Sequence, residues 1–485
     1  MRDINIPEFN IPKFAKNKAK YLVIAESIRQ AIQTGILQPG ELLPSTRKIA
    51  EKFQSHRHTV MAALEELVVE GWIVSRPRVA YQVAPKLPDD FNRVEVKPKP
   101  ANQGKKHQWE ICRNVKISTF EGISQYKYNF HNGSPDHRLF PLAEYQMHAR
   151  NVLEKKMELL TNYSDSRGYL PFVEEIKTYI RRLRAISDRE ILVTNGAQEA
   201  IFIIAQLILQ PGDRVAVESP GCLPIMSAFQ IAGAQLAPVP VDSEGMNLDY
   251  LETVLQKGKI KLIYLTPLHQ YPTTVTLTEQ RRLRIYELAS KYNVIILEDD
   301  YDHEFHYLGQ PLPPMVSNDP ENRILYVSSF SKNLLPSLRL GFIVIPSELL
   351  VPFKKMKHVL NIFSNISAQA TLALWMQSGG FERHLWRTRQ AYHDKRDIVL
   401  NCLKNAKNQG LNIDWNSPNG GIAVWINTHQ DTSALIEKAR LANIAISSEA
   451  DFQLFKKKSE HIRICYSSLS PNELNDGLSH LLQCF

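Results

Sequence analysis

From Asp213 to Pro346 the chain carries a succession of short apolar runs, DRVAVESP, KLIYLTP, NVIILEDD, ILYVSS and LGFIVIP, set between stretches with helical patterning. Runs this short, apolar on both faces, read as buried parallel strands, and strands alternating with helices build an α/β sheet. The alternation begins near Tyr128. Ahead of it, residues 85–127 carry Pro85, Pro88, Pro98 and Pro100 among lysines, with little periodicity, as a linker would. From about residue 16 to residue 84 the pattern is helical and then abruptly strand-like. The expected organisation is therefore multidomain: a small domain over 16–84, a linker over 85–127 and a large α/β domain over 128–485. A chain of 485 residues also exceeds the roughly 250–300 at which one core stops growing.

Composition excludes more than it selects. An apolar fraction of 44% and a charged fraction of 22% suit a soluble globular protein and leave no room for a disordered or fibrous class. A net charge of +8 permits a polyanionic partner without requiring one. The five cysteines, Cys112, Cys222, Cys402, Cys465 and Cys484, are scattered and form no CxxC pair, against both a disulfide framework and a metal site. The opening MRDINIPEFNIPKF lacks an apolar core, and AIFIIAQLIL is too short to span a bilayer. A cytoplasmic chain with no membrane partner is expected.

In the small domain Tyr21, Ala25, Ile28 and Ile32 recur at helical spacing before Gly35. Ser45 can cap a second helix, STRKIAEKF. A third opens near Ser55 with Val60, Leu64 and Leu67 on one face, and two short strands follow around WIVSRPRVAYQV. Three helices and a wing make a winged helix-turn-helix. A recognition helix reads bases from its first turn, here His56, Arg57, His58 and Thr59, while Arg76 and Arg78 in the wing can reach phosphates or a minor groove. The text QPGELLPSTRKIAEKF, RHTV and ALEELVVEGWIVSRPR resembles the GntR-type winged helix. That resemblance implies DNA contacts from Arg47 and Arg57. It departs at the wing tip, where Val79 and Ala80 stand in place of the usual glycine.

The large domain offers the groups that a pyridoxal phosphate site requires: an amine for the Schiff base, an acid for the pyridine nitrogen and donors for the phosphate. Lys332 lies in SSFSKNLLPSLRLGF, with hydroxyls at Ser329 and Ser331 and a guanidinium at Arg339. Asp299 and Tyr301 follow the apolar run NVIIL, at the strand end where open α/β sheets place ligand contacts. Asn195, Gly196, Ala197 and Gln198 form a strand-to-helix turn that presents backbone N–H groups.

Together VTNGAQEA, PGDRVAVESPG, LTPLHQYPTT, ILEDDYDHEF and SSFSKNLLPSLRLGF resemble a fold-type I aminotransferase from Tyr128 to the C-terminus. Winged helix first and aminotransferase-like domain second is the layout of the MocR subfamily of GntR-type regulators. The resemblance implies a homodimer on paired half-sites of double-stranded DNA, pyridoxal phosphate on Lys332, and an amino-compound effector recognised through external aldimine formation. Arg463, in HIRICYSS, matches the arginine with which this fold grips a substrate carboxylate, the alternative being a structural salt bridge. The chain departs from the pattern at Cys222, where a tyrosine normally stacks on the pyridine, at Pro224 in place of an arginine, at Thr274 in place of glycine, and at Phe172 and Val173. The regulator reading competes with a working aminotransferase carrying an appended DNA-binding module. The departures at Cys222 and Thr274 weigh against efficient turnover.

Overall fold

The structure is a computed structural model describing residues 19–76, 80–88, 125–455 and 458–485. The chain divides into two compact units, Met1–Glu110 and Ile111–Phe485.

In the first unit, helices α1 (Lys20–Gln33), α2 (Thr46–Lys52) and α3 (Arg57–Val69) precede strands β1 (Ile73–Arg76) and β2 (Ala80–Val83), which pair antiparallel. The predicted helical stripes form the core: Ala25, Ile28, Val60, Leu64 and Leu67 are all fully buried. Each large aliphatic so buried contributes about 1.5–3 kcal/mol. Ser45 accepts a hydrogen bond from the Lys48 N–H at 3.3 Å and so caps α2. The third helix starts two residues later than expected, with His56 as its N-cap and no side-chain cap bond.

The second unit opens with β3 (Tyr128–Asn129) and helices α4 (Leu142–Lys155), α5 (Met157–Thr161) and α6 (Leu170–Arg184). There follow β4 (Glu190–Thr194), α7 (Ala197–Ile208), β5 (Arg214–Ser219), α8 (Leu223–Ile231), β6 (Gln235–Asp242), β7 (Gly245–Met246), α9 (Leu248–Gln256), β8 (Ile260–Leu265), α10 (Glu279–Lys291), β9 (Ile295–Asp300), β10 (Ile324–Ser329) and β11 (Gly341–Ile345). These strands build one sheet in the order β4-β11-β10-β9-β8-β5-β6-β7. Residues 350–485 add α11 (Leu350–Asn361), α12 (Ile366–Gln377), the long α13 (Gly380–Asn408) and a smaller sheet containing β12 (Ala423–Asn427) and β13 (His461–Cys465).

Four of the five predicted strands run parallel, as β5, β8, β9 and β10. The fifth corrects the expectation: LGFIVIP, as β11, is antiparallel to both β10 and β4. Only residues 330–340 join β10 to β11, in short 3₁₀ turns, and a parallel return needs a dozen or more residues, usually with a helix. Strand β6 was not among the expected strands, because Pro238 and Pro240 interrupt the apolar signal in QLAPVPVD. The parallel strands β5, β8, β9 and β10 all point their C-terminal ends at one edge of the sheet, and β4, antiparallel to β11, ends there too. The loops leaving that edge carry Asn195–Gly196, Cys222, Thr274, Tyr301 and Lys332.

Candidate functional site

Asp299 sits one residue before the end of β9, and its carboxyl is buried. Its Oδ2 accepts a hydrogen bond from the Tyr264 hydroxyl at 2.9 Å, while Oδ1 is buried with no partner. Burial pushes its pKa up to about 7, against the pull of the Tyr264 hydroxyl and with the push of Asp300 and Asp302. An unfilled buried acceptor costs about 1–3 kcal/mol, so this oxygen calls for a donor.

Lys332 leaves the sheet in the short turn after β10, and its ammonium donates to the Gly133 carbonyl at 2.9 Å. Burial depresses its pKa, and the Arg463 guanidinium depresses it further. Ser329 accepts from the Ser331 N–H at 3.1 Å and its hydroxyl lies 2.9 Å from that of Ser331. Arg339 donates to the Asn195 carbonyl at 2.7 Å and lies against Gly196, where an added Cβ would stand 2.8 Å from its NH2. Gly196 also has a φ of +87°, a conformation that only glycine adopts freely. It caps α7, whose first turn, from Ala197 and Gln198, leaves backbone N–H groups without intrahelical partners. The Gln198 side chain is exposed and donates instead to the Pro224 carbonyl at 3.0 Å. Two hydroxyls, a guanidinium and a helix N-terminus can together hold a dianionic phosphate.

Tyr301 donates to the His269 carbonyl at 3.0 Å, and its ring meets Tyr271 edge-on with centroids 5.9 Å apart. Tyr271 in turn lies under Arg463, whose guanidinium carbon is 4.7 Å from the ring centroid. Arg463 is 3% exposed, yet no carboxylate pairs with it among the described residues. Its NH1 donates to the Cys465 sulfur at 2.7 Å and its Nε has no partner. Its hydrogen bond goes to a neutral group, and the Asp302 carboxylate favours its charged form only from a distance.

The departures have visible consequences. Cys222 packs against the apolar cluster behind β5, and burial raises its thiol to about 12, which leaves it protonated and unreactive near neutral pH. Thr274 is buried with φ +63°, so a β-branched residue occupies backbone space suited to glycine. Tyr264, Tyr271 and Gly133 were not singled out from the sequence. Tyr264 lies in the buried run LIYL of β8, and nothing local marks its hydroxyl as the partner of a carboxylate 35 residues away.

In the first unit Arg57, His58 and Arg76 are exposed and Thr59 is half-buried. Arg57 donates to the Thr46 hydroxyl at 3.2 Å, which ties the start of α3 to the start of α2. Arg47 is exposed and pairs with Glu51 at 3.2 Å, a contact of little energetic weight that a phosphate can displace. Arg78 and Val79 lie outside the described residues, as do Cys112 and most of the stretch 85–127.

Residues 127–481 match the family of class I and II aminotransferases, and residues 20–83 match the gntR family of bacterial regulatory proteins. The chain is 27% identical over 463 residues to the probable rhizopine catabolism regulatory protein MocR of Rhizobium meliloti, covering 95% of this chain and 92% of that one. It is 28% identical over 471 residues to the HTH-type transcriptional regulator TauR of Rhodobacter capsulatus, covering 94% and 95%. Among solved structures, the Pyrococcus horikoshii kynurenine aminotransferase superposes with a TM-score of 0.69 at 27% identity, over 74% of this chain and 90% of that one. No helix among the described residues is long and apolar enough to cross a membrane. With its gntR-type helix-turn-helix ahead of a class I and II aminotransferase domain, the chain belongs to the MocR subfamily of regulators.

Proposed function

We propose that this DNA-binding regulator holds pyridoxal phosphate on Lys332 and uses it to sense an amino compound bearing a carboxylate. The observation that carries the reading is the Asp299 carboxyl, whose Oδ1 is buried without a partner while Tyr264 holds Oδ2. A protonated ring nitrogen is the donor that such an oxygen lacks. Ser329, Ser331, Arg339 and the first turn of α7 would take the phosphate, and Tyr301 lies beside the same strand end. When bound, the cofactor supplies an aldehyde that condenses reversibly with primary amines, which restricts the ligand class. Burial around Lys332 favours the neutral amine that the attachment needs. Arg463 would hold the effector carboxylate, with Tyr271 fixing the guanidinium plane.

On the DNA side, Arg57, His58 and Thr59 would read base edges, and Arg47, Arg76 and Arg78 would contact the backbone. The working unit is a homodimer in the cytoplasm, matched to paired half-sites, with domains over 16–84 and 128–485 joined by a linker over 85–127. An exposed apolar surface supports the dimer: Tyr163 is 85% and Val359 83% exposed, and Tyr163 meets Phe363 edge-on. The test is reduction with borohydride after adding pyridoxal phosphate, followed by peptide mass spectrometry. A phosphopyridoxyl group on the Lys332 peptide is expected. An unmodified peptide would remove the cofactor from the reading and leave a DNA-binding protein with another signal.

A further inference from the structure

Away from the cofactor edge, a cavity of about 270 Å³ opens between the end of α6, the segment after β9 and the first turns of α13. One wall is a single helix face: Glu382, Leu385, Trp386 and Arg389 are spaced i, i+3, i+4 and i+7. Trp386 is 69% exposed, whereas Trp72, Trp375 and Trp425 are all buried. Arg389 is exposed and has no hydrogen bond or ion pair among the described residues. Glu382 accepts from Arg182 at 2.7 Å through Oε1, and its Oε2 is buried with no partner. The floor includes His306, held neutral near pH 7 because burial, and then the neighbouring His269, lower its pKa to about 4. The cavity thus offers an open indole, an uncommitted cation and an unfilled acceptor.

We propose that this cavity is a second small-molecule site, which takes a flat aromatic carboxylate with a hydrogen-bond donor at its far end. The carboxylate pairs with Arg389, the ring lies on Trp386 and the donor pairs with the Glu382 carboxylate, which turns Oε2 toward the cavity. Seven helical residues separate the two charged side chains by about 10 Å along the axis, which suits a molecule with its polar groups at opposite ends of a ring. An amino acid, with both charges on one carbon, fits that spacing poorly. The site has a route to the cofactor edge. His306 stacks on His269, with centroids 6.0 Å apart, and His269 bonds Asp302 at 2.7 Å. Asp302 directly follows Tyr301, in the segment that also carries Asp299.

The test uses the full-length protein and 4-hydroxyphenylacetate, which has no amine and cannot condense with an aldehyde. Isothermal titration is expected to show saturable binding that falls at least tenfold in Trp386→Ala and in Arg389→Ala and is unchanged in Arg463→Ala. Phenylacetate, lacking the donor, and 4-hydroxyphenethyl alcohol, lacking the carboxylate, should each bind at least tenfold more weakly. Absence of binding at millimolar ligand overturns the proposal. So does binding that disappears in Arg463→Ala but survives in Trp386→Ala and Arg389→Ala, because the ligand would then occupy the cofactor edge. Neither outcome bears on borohydride trapping at Lys332, so the two readings fail separately.

Discussion

Tyr264→Phe isolates the part of the site that the sequence did not reveal. The Asp299 carboxyl, raised to about 7 by burial, is partly restored toward ionisation by the Tyr264 hydroxyl. A hydrogen bond to a charged group is worth about 1.5–3 kcal/mol, and one pKa unit is about 1.4 kcal/mol, so losing the hydroxyl should raise this carboxyl by about one to two units. A ring N–H prefers the carboxylate, so cofactor affinity should follow the ionised fraction and rise with pH. The assay is a fluorescence titration with pyridoxine 5′-phosphate, whose missing aldehyde removes Lys332 from the balance, between pH 5.5 and 9.5. In the parent, affinity should climb about tenfold per pH unit and level off near 7. In Tyr264→Phe the plateau should begin about one to two units higher, with a deficit of about five- to fiftyfold at pH 7, where the parent is itself half ionised, that closes by pH 9.5. Ionisation of the ligand's own phosphate and ring nitrogen is common to both proteins and cancels in the ratio of their affinities. Two parallel curves with the same midpoint would refute the role given to Asp299.

Three further outcomes are expected. Glu218 is buried and raised to about 7, so its contribution to stability is complete below its unfolded pKa near 4 and is lost as pH rises toward 7. Glu218→Gln does not titrate and should gain on the parent between pH 5 and 8 by on the order of 2–3 kcal/mol, read as a growing difference in urea midpoints. Thr274→Gly relieves a left-handed conformation costing about 1–2 kcal/mol, against about 0.5–1 kcal/mol of added chain entropy. It also deletes a buried hydroxyl without a partner, so a net gain of about 1 kcal/mol is expected, and a loss of stability would contradict the strain. Arg57→Ala should weaken specific DNA binding by about 1–3 kcal/mol in a gel shift and relax base preference at one position, whereas a uniform loss across sequences would make Arg57 a phosphate contact.

The features legible in the sequence were those written in local periodicity. Helical stripes such as Ile28–Ile32 and Leu64–Leu67, the cap at Ser45 and the buried runs ending in Asp299 and Ser329 each declare themselves within a few residues. Strand direction is not local in that sense. LGFIVIP has the composition of its parallel neighbours, and only the shortness of the turn before it makes it antiparallel. The prolines of β6 hid a strand for the opposite reason, because a local signal against pairing was overruled by its place beside β5. Partners of the candidate site were invisible for want of proximity: the Lys332 ammonium meets the carbonyl of Gly133 across 199 residues.

The same distinction decides how Arg463 should be read. In sequence an arginine on a strand is as consistent with a structural ion pair as with a ligand anchor. The fold contains arginines of the first kind: the buried Arg184 pairs with Glu304, and the half-buried Arg189 with Asp319 at 3.0 Å. Arg463 is as deeply buried but faces a thiol, a tyrosine ring and an unfilled Nε. Burial works against this charge, and the nearby Tyr271, Tyr301 and Asp302 favour it without any carboxylate in contact among the described residues. Retaining that charge beside the Lys332 amine is intelligible if the missing carboxylate arrives on a ligand. An effector carboxylate bound there would contribute to the stability of the fold as well as to its signal, by supplying an ion pair that Arg463 lacks among the described residues.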